Sequence, residues 1–157
     1  MEKQKKLHIR LELIWWMITL VIIIGLFIPI YTTQKDYPFW MSNTIFVLVF
    51  ITFSRYIFLL KHTFIAHRQT LKAAIAILCI PLFIFLLDEF SAFRAIAEEI
   101  GIEEMFDHLS LNGQTNMTNY VKSEMLFFGA ASIISCILMP FRMLVSFWRT
   151  YNNKGIV

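Results

Sequence analysis

At 157 residues the chain has room for one domain, and 58% hydrophobic against 16% charged residues leaves too little polar surface to cover a soluble core. Sixteen phenylalanines and a mean hydropathy of +0.65 point the same way, to an all-α integral membrane protein. The net charge of +3 does not indicate nucleic acid, because the basic residues fall in short groups between apolar runs rather than along one polar face.

The lead MEKQKKLHIR opens onto an uncharged run over residues 13–31. The run is long for the core of a signal peptide and no small-residue cleavage site follows, so it is expected to remain as a first span. Glu12 stands at its mouth. A second run, residues 39–60, carries a single charge, Arg55. The connection KHTFIAHRQTLK then brings Lys61, Arg68 and Lys72 with no acid.

A helix rises about 1.5 Å per residue and the hydrocarbon core is about 30 Å thick, so about 20 residues are needed to cross. The third run is short of that and recruits Thr70 to Lys72, giving a span over residues 70–87 with Lys72 expected to snorkel to the interface. Pro81 is expected to kink this span and Pro140 the fourth. That fourth span, residues 125–148, again holds one charge, Arg142. It also carries a small-residue face of Gly129, Ser132 and Cys136, of the kind that lets membrane helices approach closely.

Residues 88–124 form the one sizeable segment outside the spans. Phe90, Phe93, Ile96, Ala97 and Ile100 recur at helical spacing, with Glu98 and Glu99 turned away. Gly101 is placed to end this short amphipathic helix, and Ile102, Met105, Phe106 and Leu109 mark a further turn. LNGQTNMTN reads as a loop. The segment either lies on the interface or caps the bundle. Its polar face is acidic, at Glu98, Glu99, Glu103 and Glu104, where interfacial helices usually carry Lys and Arg, so it favours protein over lipid.

All but Lys35, Arg94 and Lys122 of the fourteen basic residues fall on the side of the termini. With four spans, this places both termini in the cytoplasm. The expected architecture is one four-helix transmembrane domain over residues 1–157. In topology and composition it resembles small four-span proteins of the bacterial inner membrane.

No Asp, Glu, Lys, Arg or His falls mid-run, which argues against a self-sufficient proton-coupled transporter. Hydroxyls there, such as Thr19 and Ser132, are expected to bond back to their own helix. His8, His62 and His67 sit at one boundary and His108 beyond the other, so no pair can face across a haem, and no zinc spacing occurs. Cys79 and Cys136 read as small packing residues. No cofactor, metal or catalytic group is expected.

Arg55 and Arg142 both start about 10 Å inside the cytoplasmic boundary, with Glu12 at the same level. Three readings follow: both snorkel to lipid phosphate, all three lock the helices together, or the arginines bind an anionic headgroup. Adjacent Asp88 and Glu89 have the chemistry to bind a cation, but read first as a solvated helix end with Lys35 or Lys122 as partner.

The function expected is a non-enzymatic accessory or scaffold subunit of a larger membrane complex serving energised, secretory or transport machinery, with other integral membrane subunits as partners and anionic lipid as a further one. A small homo-oligomeric channel or transporter is the alternative, predicting that Asn43, the hydroxyls and the arginines share a face. A lipid-headgroup-binding or lipid-modifying membrane protein is the third, predicting a cavity where Glu12, Arg55 and Arg142 converge.

Overall fold

The structure is a computed structural model that describes residues 2–60, 63–99 and 101–152, at 2–8, 64, 67 and 150 by backbone alone. Lys61, His62, Ile100 and Lys154, and the side chains of Lys3, Lys5, Lys6, His8 and His67, lie outside the described residues.

The secondary structure among the described residues is all helical, with four helices that are each long and apolar enough to cross a membrane. They are α1 (Glu2–Thr33), α2 (Trp40–Leu59), α3 (Gln69–Glu99) and α4 (Leu111–Asn152). Short 3-10 turns at Phe64–His67 and Ile102–Phe106 join α2 to α3 and α3 to α4. The central element is α4, which packs along both α2 and α3, while α1 rests mainly on α2.

Three helices, α1, α3 and α4, are longer than the apolar runs that announce them. With 31 residues, α3 is about 46 Å long. The 42 residues of α4 make about 63 Å, twice the hydrocarbon thickness. Neither Pro81 nor Pro140 ends its helix. The stretch expected as a loop, LNGQTNMTN, is instead the first turns of α4. Asn, Gly and Thr are poor helix formers, but propensity yields to burial here. Thr118 and Val121 are buried, Met117 and Tyr120 pack on the core, and the Thr115 hydroxyl donates back to the Leu111 carbonyl at 3.0 Å.

The amphipathic stretch after residue 88 is continuous with α3 rather than a separate surface helix. Phe93 is buried, Phe90, Ile96 and Ala97 pack against the core, and Glu98 and Glu99 are exposed. Gly101 ends the helix with φ 84°, a conformation that a side chain would strain, and its amide donates to the Ile96 carbonyl at 3.1 Å. The next turn buries Ile102 and Phe106 against α4 and so covers that end of the bundle.

Gly129 sits where α4 meets α3. A Cβ there would come within 2.4 Å of the Phe90 ring, so only glycine lets the ring lie against the helix. Ser132 and Cys136, on the same face, are buried too, with the Cys136 thiol donating to the Cys79 carbonyl at 3.4 Å. The small-residue face is thus turned into this bundle.

α1 is attached differently. Its bundle-facing side runs Glu12, Trp15, Thr19, Ile23, Leu26 and Ile30, at helical spacing, but only Thr19 and Ile30 are fully buried. Its opposite side, Ile14, Met17, Val21, Ile24 and Ile28, is 48–63% exposed. Fastenings lie towards its two ends: Glu12 on Arg55, the Tyr120 hydroxyl donating to the Leu26 carbonyl at 2.9 Å, and Phe27 edge-on to Trp40.

Candidate functional site

Polar side chains collect at two levels of the bundle. The first lies where α2 ends and α3 begins. Arg55 Nη1 donates to Glu12 Oε2 at 2.7 Å, with both side chains largely buried, and the guanidinium lies over the Trp15 and Tyr56 rings at 5.5 and 5.6 Å. Arg142 is directed elsewhere, its Nε donating to the Ile57 carbonyl at 2.9 Å. The first two members of the expected triad therefore meet across α1 and α2, and the third joins α4 to α2 through a backbone carbonyl.

Lys72 departs from expectation. It does not snorkel: it is 1% exposed, and its Nζ donates to the Ser146 hydroxyl at 3.0 Å. The clefts here are small and mostly apolar. One of about 210 Å³ is lined by Leu11, Trp15, Arg55, Leu59 and Thr63, and does not include Arg142.

The second level lies near the opposite end and is absent from the sequence-based expectation. Asn43 of α2 donates through Nδ2 to Glu124 Oε2 of α4 at 2.6 Å, and its neighbour Ser42 donates to the Glu89 carboxylate of α3. Asn43 is 0% and Glu124 6% exposed. Glu89, read from sequence as a solvated helix end, is half-buried, whereas Asp88 is exposed. Adjacent positions on one helix point about 100° apart, so a single Ser-Asn pair reaches both neighbouring helices.

Three buried oxygens at this level have no hydrogen-bond partner: Tyr37 Oη, Asn43 Oδ1 and Glu124 Oε1. Tyr37, in the turn between α1 and α2, has its hydroxyl pushed well above the ordinary phenol range, first by burial and then by the Glu124 charge, with the Asn43 amide opposing. It therefore stays neutral. An open cleft of about 520 Å³ between α1 and α4 reaches this level, with Asn116, Asn119, Tyr120 and Ser123 on one wall, Leu26 opposite, and Glu124 in its lining.

The remaining expected features are dispersed. Glu98, Glu99, Glu103 and Glu104 are exposed, with Glu98 accepting from Arg94 at 3.0 Å. His108 Nε2 donates to the Thr33 carbonyl at 3.0 Å. Thr19 and Ser132 bond back to the Trp15 and Gly129 carbonyls. Asn43 and Arg55 are twelve positions apart on α2, about 18 Å, and do not share one polar face. The chain matches no family model, no curated protein and no solved structure.

Proposed function

We propose that the protein is a non-enzymatic subunit of a larger assembly in the bacterial inner membrane, with both termini in the cytoplasm and α1 as the helix offered to its partners. The observation that carries this reading is the outward face of α1. Ile14, Met17, Val21, Ile24 and Ile28 are spaced by three and four residues in turn, the seam by which one helix packs along another. Three of them, Ile14, Val21 and Ile28, are β-branched and occupy one heptad position, where side chains already stiff at χ1 lose little freedom on packing. The small-residue face of α4 is spent on internal packing, so it does not compete for this role.

The acidic surface of Glu98, Glu99, Glu103 and Glu104 supports the same reading, as a match for a basic face of a partner outside the membrane. The charge pattern supports the orientation. The test is extraction of the full-length protein in native membrane patches, followed by mass determination of the intact particles. Other membrane subunits at fixed stoichiometry are expected. A monomer, or copies of this chain alone, would contradict the proposal.

A further inference from the structure

The second polar level poses a charge problem. Glu124 is buried, one carboxylate oxygen takes the Asn43 amide, and the other meets no donor. An ionised carboxylate is not stable in an apolar interior unless something neutralises it. Among the described residues no cation does so. Arg55 is paired to Glu12 and Arg94 to Glu98, Lys72 and Arg142 are bonded at the other level, and Arg10, Lys35, Arg68, Lys122 and Arg149 are exposed.

The groups that face Glu124 are oxygen-rich. The Asn43 amide is oriented by its own bond, since turning it over would set oxygen against carboxylate, and this leaves Oδ1 free. Tyr37, 2% exposed, adds a hydroxyl that lies beside the Asn43 side chain. A trapped water would satisfy some of these acceptors but would leave the charge. One negative charge among neutral oxygens matches a hard cation of charge +1, while magnesium and calcium sites draw on more carboxylates or on retained water.

We infer that Glu124, Asn43 and Tyr37 form a binding site for an alkali-metal cation of the sodium class, reached through the cleft between α1 and α4. Asn43 and Glu124 already join α2 to α4; a bound cation adds Tyr37 and with it the α1–α2 turn, so it acts as a structural ligand whose loss loosens the attachment of α1. This goes beyond the subunit reading and does not depend on it.

The test uses the purified full-length protein in lipid nanodiscs. Thermal unfolding is followed as choline chloride is replaced by NaCl, KCl or LiCl at constant ionic strength. A saturable rise in Tm with an alkali cation is expected, abolished in Glu124→Gln, whose amide needs no counter-charge. Tyr37→Phe removes one oxygen and no charge, and should raise the half-saturating concentration several-fold. It also serves if Glu124→Gln fails to fold. Equal midpoints in all four chlorides would overturn the inference in favour of a proton or water on Glu124. So would a cation response unchanged in Glu124→Gln, or a half-saturation unchanged in Tyr37→Phe.

Discussion

The Asn43 amide donates to the Glu124 carboxylate at 2.6 Å across 81 positions of sequence, fastening the first turn of α2 to the first third of α4. Both residues are buried, and a hydrogen bond to a charged group is worth about 1.5–3 kcal/mol, more than one between neutral groups. Asn43→Ala should therefore lower stability by about that amount in detergent unfolding. Asn43→Ala combined with Glu124→Leu should recover most of the loss, because no carboxylate is then left alone. A double variant as unstable as the sum of the two single changes would contradict this coupling.

The Glu12–Arg55 pair makes an equally sharp case at the other level. Removing one partner of a buried pair strands the other, at about 3–5 kcal/mol, whereas replacing both with apolar residues is close to neutral. Glu12→Ala should thus be strongly destabilising, and Glu12→Leu with Arg55→Leu should stay within about 1 kcal/mol of the parent. Since this pair is one of the few fastenings of α1, limited proteolysis between α1 and α2 should accelerate in the single variant and return to normal in the double one.

Lys72 should be dispensable for stability. Its ammonium group is 1% exposed and bonded to a single hydroxyl, so the cost of desolvation opposes it. Lys72→Met keeps the length of the side chain and should leave Tm unchanged or raise it. A fall of more than about 1 kcal/mol would show that the Lys72–Ser146 bond outweighs that cost.

Gly129→Ala tests the contact between α3 and α4. The added methyl would overlap the Phe90 ring, and overpacking of this kind costs about 1–3 kcal/mol. Phe90→Leu in the same chain should relieve part of the loss, since the contact is with the ring edge. An unchanged midpoint in Gly129→Ala would mean that the ring moves aside freely.

How much of this was legible depends on what each residue announces. The four apolar runs became four helices, and Gly101 marked the end of one of them, because burial at helical spacing and a positive φ both leave traces in sequence. Whether Ile102 and Phe106 lie on the interface or cover the bundle was left open by the sequence. Glu12 and Arg55 were recoverable because Glu12 is the one acid at the mouth of the first run and Arg55 the one charge within the second. Glu124 was not. The fourth run begins at Met125, and hydropathy stops at the first charge, whereas helix geometry does not: α4 starts thirteen residues before Glu124, at Leu111. A buried carboxylate at the edge of a run looks the same as a solvated one until its partner is known. That partner, Asn43, lies on another helix.

Lys72 misled for a related reason. Snorkelling is the usual fate of a lysine at a span boundary, but the hydroxyl of Ser146, 74 positions away, gives it an inward partner. Long-range polar pairing is the part of this fold that composition and periodicity do not encode.

The most direct test of the central claim is site-specific photocrosslinking in native membranes, with a benzophenone side chain at Val21 on the outward face of α1. A matched probe at Ile80, equally exposed on α3, serves as the reference. Discrete protein adducts are expected from Val21 and only lipid adducts from Ile80. Lipid adducts alone from both positions would contradict it, and would make α1 a helix that faces the bilayer rather than a partner.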